Sequence, residues 1–189
     1  MPTPTSALVD LWSEYETLSD LPTRQLTLDQ RRSVDFFLAD TDPTATVEPF
    51  VRRWIDRVHA LDVFVEQHRR MPRADPRRPR PATEEQALVD AVAYFRQSHA
   101  AGTYVEYQTR RLEAVPGFAW SPRDAMWALR FAQHQAFWAT RGFAPRRRAA
   151  DPDEVTVGRW VAHQRALNAR GALRPDRAAR LRAARYRVL

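Results

Sequence analysis

Three consecutive arginines, Arg146-Arg147-Arg148, lead into a helical segment that carries Arg159, Gln164 and Arg165. A guanidinium is planar and donates parallel hydrogen bonds, so arginines grouped ahead of a helix suit phosphate oxygens, and the helix's first free N–H groups strengthen that attraction. Arg or Gln projecting from a helix can also reach base edges in a major groove. A second cluster holds Arg69, Arg70, Arg73, Arg77, Arg78 and Arg80 against the single acid Asp75. Such a loop can follow a phosphate backbone or enter a narrow minor groove. A structural role stands beside each of these: Gln164 also suits a packing or capping position, the Arg triplet a solvated loop, and the 69–80 stretch a basic linker.

Other chemistries are largely excluded. All 30 basic residues are Arg, so no Walker lysine, Schiff base or Ser-Lys dyad is available. There is no Cys, which removes disulfides, thiol nucleophiles and thiolate zinc sites, and five Gly leave little for a glycine-rich nucleotide cradle. The five His are scattered without an H-E-x-x-H pattern or a close carboxylate group. Asp151, Asp153 and Glu154 sit in a Pro-containing turn ahead of a helix, where carboxylates complement the helix dipole. No catalytic residue, no metal and no cofactor is expected. No apolar run approaches the roughly 18 residues of a membrane span, so a cytoplasmic chain without membrane contact is the expectation. Trp12, Trp54, Phe64, Trp127, Phe131 and Trp138 fall on helical apolar stripes, which assigns them to a core rather than to base stacking.

The elements that must position these residues are helices. Leu8, Leu11, Trp12, Tyr15 and Leu18 recur at helical spacing, and Thr27-Leu28-Asp29-Gln30 has the capping-box pattern that starts a helix to about Leu38. Phe50, Trp54, Val58, Leu61, Phe64 and Val65 mark a longer amphipathic helix to about His68, followed by the Pro-rich loop 71–81. Thr83 and Thr103 read as the next helix starts, and Ser121-Pro122 as another, running to Gly142. Two last helices span roughly 155–169 and 175–184. The fold class expected is all-α with about eight helices.

Charge is segregated along the chain. Residues 1–50 hold nine acids against three Arg, a net of −6, and residues 51–189 hold 27 Arg against 14 acids, a net of +13. A region of domain size at +13 has the electrostatic footprint of a polyanion binder. The chain also repeats itself. Trp54 and Pro72 match Trp127 and Pro145 at an offset of 73, while Leu88, Arg96, Gly102, Arg111 and Leu112 match Val157, Arg165, Gly171, Arg180 and Leu181 at an offset of 69. Arg96 is thereby the counterpart of Arg165.

The second unit, with Gly142, Pro145, Val157-Gly158-Arg159-Trp160-Val161, Gln164-Arg165, Gly171-Ala172-Leu173 and Leu181, resembles the helicase-associated domain family. The first unit has Ala91 where Trp160 stands, yet its Arg111 to Trp120 segment is similar to that family's closing segment. The resemblance implies tandem three-helix modules over 51–120 and 121–189, after an acidic helical region 1–50, with a nucleic-acid-binding role and no helicase motor.

The expectation is therefore a non-enzymatic nucleic-acid-binding protein, with duplex DNA first and use as a transcription or replication regulator, probing its target as a monomer. Its contacts would be Arg73, Arg77, Arg78, Arg80, Arg96, Arg146, Arg147, Arg148, Arg159, Gln164 and Arg165. The alternative is an adaptor that docks on a helicase or another nucleic-acid-processing protein. Trp12, Tyr15, Phe36 and Phe37 separate the two, because exposed aromatics in the acidic N-terminal region would form a protein-binding patch and buried ones would make that region structural. A third possibility has residues 1–50 cover the basic face, in which case their deletion would tighten DNA binding.

Overall fold

Helices begin in this chain where a side-chain oxygen or a proline relieves the first turn. In the computed structural model, which describes residues 5–189, Thr5, Thr27, Thr83, Ser121 and Asp151 each accept a hydrogen bond from a backbone N–H two or three positions on. The elements are α1 Ser6–Ser19, α2 Leu28–Thr41, α3 Pro49–His68, α4 Glu84–Ala100, α5 Glu106–Glu113, α6 Pro122–Arg141, α7 Pro152–Ala169 and α8 Pro175–Arg182, with a short 3-10 turn at Thr23–Gln25. No strand occurs among the described residues, in agreement with the all-α expectation.

Two starts differ from the sequence reading. Thr103 does not open α5: its hydroxyl donates to the Ser98 carbonyl at the end of α4, and the helix begins at Glu106. The acidic turn 151–154 is not a separate connector ahead of α7, because Asp151 caps the helix and Pro152 already occupies its first turn.

The chain divides into two compact units, Met1–Trp120 and Ser121–Leu189. In the first, α2 packs against α1, α3 and α5, and α3 packs against α4. Leu11, Tyr15, Phe36 and Phe37 join Ile55, Leu61, Phe95, Tyr107 and Leu112 in one core. Trp12 is half-buried against it. The N-terminal aromatics are thus inward-facing and structural, not an exposed patch. Each such large apolar side chain contributes about 1.5–3 kcal/mol when buried. Deleting residues 1–50 would unroof this core, so the truncation cannot serve as a clean test of a displaceable cover.

A charged network ties these helices together. Asp40, whose side chain is fully buried, accepts from the Arg111 Nε at 2.7 Å, the Tyr107 hydroxyl at 2.6 Å and the Trp12 Nε1 at 3.0 Å, and its other oxygen lies 2.6 Å from His59 Nε2. Burial by itself would raise the Asp40 pKa, but His59, Arg111 and Tyr107 together hold it well below the ordinary carboxylate range. Arg111 also pairs with Asp62, whose burial outweighs that attraction and pushes its pKa up. Removing one member of such a set strands the others, which is the costly event in a buried ion pair.

The second unit is smaller. Trp127, Val161, Leu181 and Val188 form its buried core, with Phe131, Trp160, Leu173 and Leu189 packed on it. Its three helices correspond in position to α3, α4 and α5: α6 has the bounds of α3 shifted by 73, α8 those of α5 shifted by 69, and α7 ends as α4 does at the same 69. The agreement extends to backbone detail. Arg69 and Gly142 close α3 and α6 in the left-handed region, with φ of 52° and 73°. Gly102 and Gly171 follow α4 and α7 with φ of 69° and 67°. Glycine adopts that conformation without the Cβ penalty that Arg69 carries.

Candidate functional site

Six of the proposed contact residues lie in the second unit, and the loop between α6 and α7 positions three of them. Pro145 is buried, and Glu154 in the first turn of α7 reaches back to the loop, where its Oε1 accepts from the Arg146 backbone N–H at 3.0 Å and from the Arg146 Nε at 2.8 Å. Glu154 is buried and the Arg146 hydrogen bond lowers its pKa, so the carboxylate stays charged near neutral pH. The loop then lies directly on the helix. A Cβ at Gly158 would meet the Arg146 carbonyl oxygen at 2.4 Å and the Arg147 nitrogen at 2.9 Å, so only glycine permits this approach.

That contact creates a small cleft of about 480 Å³, lined by Pro145, Arg146, Arg147, Gly158, Val161, Ala162 and Arg165. Arg146 is neutralised by Glu154, so the surplus charge comes from Arg147 and Arg165. Arg148 and Arg159 are exposed beside Arg147 and Gly158, and neither has an ion pair among the described residues. The arrangement presents guanidinium donors without a fixed counter-charge, which favours an anionic group such as a phosphate or carboxylate.

The sequence reading changes at two further positions here. Gln164 is buried, and its Oε1 accepts from the Trp127 Nε1 at 2.9 Å. It holds the core and cannot reach a base edge. Arg165 borders the cleft, but its Nε donates to the Val188 carbonyl at 2.6 Å, so the residue also ties α7 to the segment after α8. The start of α7, expected to offer free donors to an anion, instead carries Asp151 at its cap and Asp153 and Glu154 in its first turn. These carboxylates take the favourable helix-dipole position themselves and disfavour an anion at the helix end.

The first unit treats its arginines similarly. The Glu85 Oε1 accepts from the Arg73 backbone N–H at 2.9 Å and from Arg70 at 2.5 Å, and Arg70 lowers the Glu85 pKa to about 2. Glu85 and Arg73 are the positional counterparts of Glu154 and Arg146, so one carboxylate anchors the same loop in both units. Arg96 is half-buried; its Nε donates to the Ala119 carbonyl at 2.9 Å and its guanidinium lies over Phe118, which removes it from the accessible set. Ala119 and Val188, the acceptors of Arg96 and Arg165, are again 69 positions apart. Arg77 is exposed and paired with Asp75, while Arg73, Arg78 and Arg80 are exposed. The 71–81 loop therefore shows four arginines to solvent, of which Arg73, Arg78 and Arg80 have no ion pair among the described residues.

Sequence reasoning missed the anchoring role of Glu154 and the close approach at Gly158. The signal for the first was its constant offset from Glu85. Three arginines at the start and middle of α8 are also engaged locally: Arg177 and Arg180 lie over Trp127, and Arg174 and Arg177 pair with Asp124, whose pKa the Ser121 hydroxyl and these two arginines lower to about 2. Among the described residues no group of three or more His, Asp or Glu could hold a metal ion, and no helix is long and apolar enough to cross a membrane. No curated protein and no solved structure matches this chain. A family model does match one third of it: residues 124–186, from the first turn of α6 to just beyond α8, match the helicase associated domain.

Proposed function

We propose that this protein is a non-catalytic adaptor that docks on a nucleic-acid-processing partner through repeated helical modules. The match of residues 124–186 to the helicase associated domain carries this reading, since the family's name ties it to helicases and the chain has no lysine with which to build a motor of its own. The first unit supports it as well. Its helices share bounds with those of the second, and the Glu–loop and Arg–carbonyl hydrogen bonds recur at the same offsets. We infer from this that residues 51–120 form a second module of the same kind, built onto the N-terminal helices.

Capture on the tagged full chain in nuclease-treated extract, followed by reconstitution from purified components, tests the reading. A helicase, polymerase or similar enzyme retained after nuclease treatment is the expected result. Retention of nucleic acid alone, or of nothing that reconstitutes, would refute it.

The basic cleft favours one second reading, in which the second unit binds a polyanion, duplex DNA first. Arg147, Arg148, Arg159 and Arg165 would carry the phosphate contacts there, with Arg73, Arg78 and Arg80 as a further set in the first unit. Fluorescence anisotropy with random duplex DNA, single strands and double-stranded RNA over a salt series decides it. Binding that weakens steeply with salt is expected if the cleft is a phosphate site, and no binding at low salt would exclude it.

A further inference from the structure

We propose that the groove between α3 and α4 receives an amphipathic helix of a partner protein, one that carries a central tryptophan flanked by basic residues. The proposal rests on the adaptor reading and specifies its docking site. The groove has a volume of about 1380 Å³, and Ala60, Val63, Phe64, Leu88, Ala91 and Tyr94 supply its apolar wall. Val63 is 40% exposed and Tyr94 51%, so the wall faces solvent. The second unit has a cleft at the same place, of about 360 Å³, and every residue lining it is the positional counterpart of one lining the larger groove. The two differ in size, in lining and in charge.

In the second unit Trp160 packs edge-on to Trp127, with ring centroids 5.8 Å apart, and lies 6.3 Å from the His134 ring. That indole sits on the unit's core and does not line the cleft, whereas its counterpart in the first unit, Ala91, lines the larger groove. A groove between two helices accepts a third helix most readily, because anchors at i, i+3, i+4 and i+7 then fit along it. An aromatic anchor matches the size of the groove and its wide apolar wall.

Charge specifies the rest of the occupant. Asp56, Glu84, Glu85 and Asp90 border the groove against Arg57 and His68. Glu85 is held by Arg70, whereas Asp56 and Glu84 have no ion pair among the described residues. The counterpart cleft carries Arg130 and Arg141 with Asp153, the opposite balance. An acidic rim repels polyanions and selects a basic partner.

The test uses a fluorescein-labelled 16-residue helical peptide with a central Trp and four Arg at its flanks, titrated against the full chain by anisotropy. Two control peptides replace the Trp with Ala or the four Arg with Glu. Ala91→Trp, which places an indole at a position lining the groove, is expected to weaken binding at least tenfold. Asp56→Arg with Glu84→Arg, both at exposed positions, is expected to do the same, and it decides the matter should Ala91→Trp fail to fold. Undetectable binding, equal binding of the Trp-less or acidic peptide, or binding unchanged in both variants would overturn the proposal. Self-association of the chain that Ala91→Trp abolishes would assign the groove to a second copy and also overturn it. Retained capture of a reconstituted partner alongside failed peptide binding would remove the groove and leave the adaptor reading standing; peptide binding without any partner would do the reverse.

Discussion

Gly158→Ala gives the sharpest test of how the basic cleft is built, because two effects of known sign compete there. In an ordinary helix interior, replacing Gly by Ala stabilises by about 0.5–1 kcal/mol through lost backbone freedom in the unfolded chain. At Gly158 the new Cβ would stand 2.4 Å from the Arg146 oxygen and 2.9 Å from the Arg147 nitrogen. Both are backbone atoms, so no side-chain rotation relieves the overlap and the loop must move by about 1 Å to restore van der Waals contact. Forced rearrangements of this kind cost about 1–3 kcal/mol. Set against the helical gain, the second unit is expected to lose about 1 kcal/mol at the middle of these ranges and up to about 2.5 kcal/mol, at about 4–8 °C in Tm per kcal/mol for a unit of this size. Calorimetry of the full chain reads it, with Val89→Ala at the counterpart position in the first unit as the comparison. A Gly158→Ala protein as stable as its parent, or more so, would refute the close approach and with it the geometry that sets Arg146 and Arg147 beside α7.

Further predictions address the network, the buried histidine and the cleft. Asp40→Ala leaves Arg111 buried with only Asp62 and is expected to destabilise the first unit by about 3–5 kcal/mol in urea unfolding, part of which Arg111→Met in the same chain should restore. Because the Asp40 pKa is held below its ordinary value of 3.8, its stabilising contribution is complete above that value and is lost as pH falls below it; acid unfolding followed by tryptophan fluorescence checks this. His134 is fully buried with Nε2 unpartnered, and burial, then Arg165, push its pKa down from 6.5. The folded unit prefers the neutral ring, so stability is complete above about pH 6.5 and declines as the unfolded chain takes up the proton below it. His134→Leu, which installs the residue present at the counterpart position 61, should flatten that decline and stabilise by about 1 kcal/mol through removal of an unsatisfied buried donor. Arg147→Ala with Arg148→Ala should leave unfolding within about 0.5 kcal/mol of the parent. If the cleft binds duplex DNA, the same pair should reduce the slope of log affinity on log salt by about 2, and an unchanged slope would place the phosphate contacts elsewhere.

The aromatic placement bears on how the N-terminal helices should be regarded. Their acidic charge invited a reading as a separate cover or binding patch, yet Tyr15, Phe36 and Phe37 are core residues and Asp40 is the hub of the first unit's polar network. The −6 of residues 1–50 is therefore partly spent internally. Asp40 compensates Arg111, and Glu14 pairs with Arg110.

The helical character, the cap positions at Thr27, Thr83 and Ser121, and the 73- and 69-residue offsets were all legible in the sequence, because caps and amphipathic spacing are local: they depend on residues three or four positions apart. The loop that carries Arg146 to Arg148 was legible for the same reason. What only the tertiary structure decided is which charges remain free. Arg96 and Gln164 are drawn inward by partners 23 and 37 positions away, and Arg111 by Asp40, 71 positions away. A guanidinium is as well satisfied by a carbonyl, an aromatic face or a carboxylate of its own chain as by a phosphate, and a list of arginines does not distinguish these fates. The groove beside Ala91 has the same origin. The exchange of Trp160 for Ala91 is visible in the aligned repeats, but that Ala91 lines a solvent-facing wall depends on how α3 and α4 pack.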